Sequence, residues 1–132
     1  MIFVDSNIPM YLVGAPHVNK DVARRLLERC IHREERLVTD AEVLQEILHR
    51  YIAIGRPDAI QPAFDALLGV VDEVFPVDLA DVERAKTVVL GNGRLSARDA
   101  LHVAVMERQG VRQVLTFDAS FEEVPGIRRV SE

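Results

Sequence analysis

The sequence predicts a three-layer α/β domain with a mainly parallel central sheet, and three observations predict it. Short continuous apolar runs that stop at polar residues read as strands buried on both faces. Amphipathic stretches of helical spacing lie between them. The two kinds of segment alternate along the chain, with connections that suit right-handed crossovers.

The 132 residues suffice for one core that buries roughly two thirds of the unfolded surface, so a single domain over 1–132 is expected. Hydrophobic residues make up 48% and charged residues 28%, with a formal net charge of −5. That balance argues against a generally cationic nucleic-acid or membrane binder, and an anionic partner would have to be held locally. The single cysteine, Cys30, follows Leu26 and Leu27 on an apolar helical stripe and reads as core filler. The opening MIFVDSNIPMYLVG lacks a basic region and carries Asp5 and Pro9, which argues against a signal peptide or membrane span. A cytoplasmic protein is the expectation.

In chain order, Ile2-Phe3-Val4 is a first strand with Asp5 at its C-terminal tip. Asn7 is placed to cap a short helix with Pro9 in its first turn, ended by Gly14 and Pro16. Asn19 is placed to cap the next helix, whose stripe is Val22, Ala23, Leu26, Leu27, Cys30 and Ile31. Leu37-Val38 is a brief strand. Thr39 to Glu42 has the pattern of a capping box opening a long helix with Val43, Leu44, Ile47, Leu48, Tyr51 and Ile52.

Gly55-Arg56-Pro57 ends that helix, and another turn of helix near Pro62 to Leu68 precedes a strand at Val74 to Val77. Pro76 removes a donor, which puts that strand near an edge. Asp78 caps a helix through Leu90, with Leu79, Val82, Ala85 and Val89 expected inward. A buried helix opens at Ser96 and ends at Gly110, a strand covers Val114 to Phe117, and Ile127 to Val130 is a last strand with its arginines outward.

Carboxylates gather where this arrangement brings strand ends and helix starts together. Asp5 follows the first strand, Glu42 and Glu46 lie on the helix after the second, Asp99 opens a later helix and Asp118 closes the fourth strand. In open α/β sheets that edge is where ligands bind. Acids packed there would repel one another, and a divalent cation removes the cost. An oxygen-rich donor set favours Mg²⁺ or Mn²⁺ and implies metal-assisted phosphodiester hydrolysis. Each acid also has a local explanation: Glu42 and Asp99 stand where capping boxes put a carboxylate, Glu46 is one turn beyond Glu42, and Asp5 and Asp118 suit strand-end turns. Their joint arrival at one edge favours the functional reading.

The segments IFVDSN, LVTDAEVLQEIL, SARDALHVAVM and VLTFDASF resemble the PIN-domain ribonucleases, and within them the VapC-like toxins of bacterial type II toxin–antitoxin pairs. The resemblance covers nearly the whole chain. It implies a Rossmann-like α/β/α fold and a metal-dependent RNA endonuclease whose acids are Asp5, Glu46, Asp99 and Asp118, with Glu42 as the alternative helix acid. Thr39 and Thr116 match supporting hydroxyl positions. His102 reads as a packing or hydrogen-bonding residue rather than a catalytic base, and Tyr51 as packing.

For RNA, Arg94 and Arg98 are the nearest contact candidates, with Arg50 and Arg56 farther along. Surface ion pairs are the simpler account of most of them. The family further implies an antitoxin partner along a groove near the early helices, where Ile8, Met10, Tyr11 and Leu12 are either lining or core, and a homodimer. Two rivals remain. One is a PIN fold without catalysis that serves as a binding module. The other is a receiver-like phospho-acceptor domain, which expects paired acids after the first strand and a lysine near the last ones. Here Ser6-Asn7 follows Asp5, and the lysines are Lys20 and Lys86.

Overall fold

Ile2–Val4 forms the central strand, β1, of the computed structural model, which describes residues 1–131. After it come α1 (Asn7–Val13), α2 (Val18–His32), β2 (Leu37–Asp40), α3 (Ala41–Ala53), α4 (Ile60–Leu68) and β3 (Glu73–Phe75). The second half holds α5 (Leu79–Leu90), α6 (Ala97–Gln109), β4 (Gln113–Leu115) and β5 (Arg128–Arg129), with 3-10 turns at Pro57–Ala59 and Ala119–Glu123. All strand pairs are parallel, in the order β3-β2-β1-β4-β5. The six helices flank this five-stranded sheet, and β3, with Pro76 just beyond it, is an edge strand as expected.

The strand order sets the position of the site. From β1 the chain builds outward through β2 to β3, then returns to the other side of β1 for β4 and β5. The direction reverses between β1 and β4, so a crevice opens at their C-terminal ends. Val4 pairs with Leu115 and Phe3 with Val38, which sets Asp5, Asp40 and Thr116 side by side where the strands stop. Beneath them the apolar strand runs do what their composition dictates: Phe3, Val4, Val38, Val114 and Leu115 are fully buried.

Several local expectations need correction. The cap of α3 is Asp40, whose side chain accepts from Val43 N. Thr39 is the penultimate residue of β2, and its hydroxyl donates to the Val4 carbonyl instead of closing a capping box with Glu42. Asn7 does not cap α1, where Ser6 holds the cap position without a side-chain bond, and His17 rather than Asn19 caps α2. The fourth strand stops at Leu115, so Thr116 and Phe117 lie beyond it.

On α5, Leu79 and Val82 are 72% and 52% exposed, because only the side facing α6 is covered. There Ala85 meets Ala100 and Ala104, small residues that let the two helices approach closely. The apolar stripes are likewise wider than the covered faces at Ile31, Leu48, Ile52 and Leu68, which are all exposed. The Asp78 cap of α5 and the left-handed Gly110 that ends α6 stand where expected.

Candidate active site

Among the described residues the buried polar side chains are Asp5, Thr39, Asp40, Asp81, Asp99, His102 and Thr116. All but Asp81 lie at the crevice edge. Burying this many polar groups is costly unless each finds a partner, and the hydrogen bonds show how they do.

Asp5 is held from three sides. Thr116 Oγ1 donates to its Oδ2 at 2.6 Å, Ser6 N to its Oδ1 at 2.8 Å, and Asn7 Nδ2 approaches Oδ2 at 3.5 Å. The Thr116 hydroxyl also accepts from Asp118 N at 3.0 Å and Asn7 Nδ2 at 3.1 Å, and so links β4 to the start of α1. Asn7 Oδ1 in turn accepts from Phe117 N at 3.3 Å. Ser6 and Asn7, directly after the strand-end acid, thus brace the site. Burial raises the Asp5 carboxyl above the usual carboxylate range, with the charge of His102 and the Thr116 hydrogen bond working against it.

Asp99 enters from the first turn of α6, where Ser96 Oγ accepts from its backbone N–H at 3.1 Å. Its side chain makes no capping-box return. Instead its carboxyl faces the acids of the crevice, and burial together with neighbouring Asp118 and Asp5 pushes it up to about 7. Asp118 moves the other way. Burial would raise it, but Ser120 N and Oγ, at 2.9 and 2.7 Å, together with Asp99 and Arg129 hold it below the ordinary value. The two neighbouring carboxyls are thus pushed in opposite directions, as expected for acids at close quarters.

Glu46, one turn into α3 beyond Glu42, reaches the same edge. Ser6 Oγ donates to its Oε2 at 2.8 Å, and His102 Nε2 bonds its Oε1. Burial would raise its pKa, but the hydrogen bond and charge of His102 bring it below the ordinary value. Glu42 stands apart, with Oε1 4.0 Å from Arg98 Nε and a carboxyl raised by burial. His102 is the residue the sequence reading undervalued. Fully buried in α6, it bonds Asp40 through Nδ1 at 2.8 Å and Glu46 through Nε2, with Asp5 Oδ1 4.0 Å from the same nitrogen. Burial would lower its pKa, yet these acids carry it well above the ordinary value.

The donor set suits a hard divalent cation. Asp5, Glu46 and His102 offer atoms within 4.8 Å of one another, and the raised carboxyl of Asp99 beside Asp118 marks a place where a positive charge would relieve carboxylate repulsion. Oxygen atoms dominate, which favours Mg²⁺ or Mn²⁺ over zinc. Of the arginines, Arg98 faces Glu42, Arg94 pairs with Glu123 at 3.1 Å while 78% exposed, and Arg56 pairs with Asp58. Ile8 is core, whereas Met10, Tyr11 and Leu12 are partly buried around α1.

Comparison with known proteins places these features in context. The PIN domain family matches residues 2–127. The chain is 60% identical over 131 residues, 99% of its own length and all of its relative's, to Ribonuclease VapC13 of Mycobacterium tuberculosis. The crystal structure of VapC20 from the same organism, a Sarcin-Ricin loop cleaving toxin, superposes with a TM-score of 0.80 at 26% identity over the full length of both chains. VapBC2 from Rickettsia felis, bound to a DNA fragment from its promoter, shares the fold with a TM-score of 0.74 at 16% identity over 98% of each chain.

Proposed function

The chain belongs to the PIN-domain family and, within it, to the VapC ribonucleases, and from that premise we propose that Asp5, Glu46, Asp99 and Asp118 form its RNA-cleaving site and hold Mg²⁺ or Mn²⁺. The activity is that of an endoribonuclease, the toxin of a toxin–antitoxin pair. A single observation carries the site assignment: these four acids, from the end of β1, α3, α6 and the segment after β4, converge at the sheet's switch point closely enough to feel one another's charge.

When bound, a divalent cation supplies a Lewis acid for water attack on the phosphodiester and for the charge that develops on the phosphate. The residues of the chain prepare for it. Ser6, Asn7 and Thr116 hold the Asp5 carboxylate in one orientation. Asp99 and Asp118 would hold the cation from the far side of the crevice, and Ser120 fixes Asp118. Thr39, bonded to Val4 O, holds β2 against β1 beneath the site. Arg98, next to Asp99, and the exposed Arg94 are the candidates for phosphate contacts that orient the substrate without reading its sequence.

RNA is the substrate and an antitoxin is the protein partner. Met10, Tyr11 and Leu12 around α1 offer the antitoxin an apolar contact. A homodimer is also part of this reading: Leu79, Val82 and Leu90 give α5 an exposed apolar face for it. Among the described residues no helix is long and apolar enough to cross a membrane, and the reading takes the protein as a single cytoplasmic domain.

The test is cleavage of a mixed RNA pool by the purified protein with Mn²⁺ or Mg²⁺ and with EDTA. Cutting that EDTA stops and that Asp5→Asn and Asp99→Asn each abolish, with the fold intact, supports the assignment. Binding of RNA with no cutting under any metal condition would favour a PIN fold that serves only as a binding module.

A further inference from the structure

His102 sits in the middle of α6, 0% exposed, with the Phe3 ring packed at a centroid distance of 5.3 Å. Its two ring nitrogens face two carboxylates of α3, one at its cap and one in its second turn. Nδ1 is 2.8 Å from Asp40 Oδ2, and Nε2 bonds Glu46 Oε1. Both ring nitrogens are therefore already engaged by carboxylate oxygens, which ties the ring to Asp40 on one side and to Glu46 on the other. Asp40 is itself fixed, because its other oxygen accepts from Val43 N at 2.9 Å as the cap of α3. The second oxygen of Glu46 accepts from Ser6 Oγ.

We propose that His102 is a positioning residue for Glu46 and that Asp40 is the anchor that orients His102. This deepens the reading of the acids as a metal site and rests on it. A glutamate side chain has several rotatable bonds and loses that freedom only if something holds its end. It also faces Asp5, whose like charge would turn it away. His102 answers both needs, bonding Glu46 directly and standing between it and Asp5, with Nε2 4.0 Å from Asp5 Oδ1. The carboxylate–histidine arrangement thus acts one shell out from the cation: it sets where the remaining lone pairs of Glu46 point, and outer partners of this kind control ligand geometry.

The discriminating variant is Asp40→Asn in the full chain. An asparagine keeps the side-chain oxygen that caps Val43 N, and Asn caps helices as well as Asp, but it removes the anionic acceptor for His102. Mn²⁺ affinity is read from the electron paramagnetic resonance signal of free Mn²⁺, alongside RNA cleavage and thermal unfolding. The expected result is Mn²⁺ binding weakened about 10- to 100-fold and a lower kcat, with KM for RNA and the unfolding temperature little changed. In a Glu46→Gln background the same substitution should cause no further loss, since both act through one carboxylate.

Wild-type Mn²⁺ affinity in Asp40→Asn, or effects that add fully to those of Glu46→Gln, would overturn the proposal. His102→Gln gives a parallel reading, and Asp40→Asn decides the matter if that buried substitution unfolds the chain. A wild-type protein that neither binds Mn²⁺ nor cuts RNA would overturn the metal-site reading itself. Normal wild-type behaviour beside an unaffected Asp40→Asn would overturn the positioning role alone.

Discussion

Asp99, in the first turn of α6, and Asp118, on the segment that follows β4, sit close enough that each moves the other's carboxyl, the first upward and the second downward. Two acids this close suit a cation between them, and ionising both together is destabilising.

That relationship has a measurable sign. Unfolded, Asp99 ionises near the ordinary value of about 4, whereas folded it ionises at about 7. Between those values the native state keeps a proton that the unfolded state has released, so stability falls as pH rises through this window and stays lower above it. Metal-free Asp99→Asn should therefore gain unfolding temperature over wild type at pH 8 and gain less at pH 4, while losing cleavage. Calorimetric scans at the two pH values check this, and an equal difference at both would contradict it.

Thr116→Val keeps the side-chain shape but removes the donor to Asp5 and the acceptor for Asp118 N and Asn7. The Thr116 hydrogen bond holds the raised Asp5 pKa down, so its loss raises that value further. The acid limb of the cleavage pH profile should move to higher pH, with kcat down about tenfold at neutral pH. Kinetics across pH read the result, and an unshifted profile would remove Thr116 from the site.

Away from the site, Asp81 closes the capping box of α5 with Asp78 and pairs with Arg108 at 2.7 Å. The Arg108 hydrogen bond holds its pKa below the ordinary value, although burial opposes this. Its contribution is thus present above pH of about 4 and fades as pH falls through the lower folded value. Asp81→Ala should cost roughly 1–3 kcal/mol, because it removes both the acceptor for Asp78 N and the partner of Arg108. Urea unfolding at pH 7 measures this, and the cleavage rate of the folded variant should match wild type.

Gly110 ends α6 at φ 71°, and a Cβ there would meet nothing within 4 Å. Its conformation alone makes glycine preferable. Gly110→Ala should destabilise by about 1 kcal/mol, measured by thermal unfolding, and Gly110→Asn by less.

How far the sequence could be read depended on whether the information was local. Asp5 at the end of an apolar run, Ser96 three residues before Asp99, and Pro76 beside an edge strand are signals carried within a few residues, and each element stands where expected. His102 and Asp40 were hidden for the opposite reason. A histidine inside an apolar helix looks like packing until its partners arrive from 62 and 56 residues away, and Asp40 looks like one more helix-start residue beside Thr39. The tripeptide Asp5-Ser6-Asn7 carries a local signal of its own, since two short polar residues directly after a strand-end acid are placed to bond it. The outward Leu79 and Val82 were misread because an apolar stripe says that a face wants cover and not which element supplies it.

The most direct test of the central claim is anomalous diffraction from a crystal of the protein soaked in Mn²⁺. The account predicts a manganese peak at the C-terminal ends of β1 and β4, ligated by Asp5 with Asp99 or Asp118, and Glu46 directed toward it by His102. An ordered crystal with those acids accessible to solvent and no manganese at that edge would contradict it.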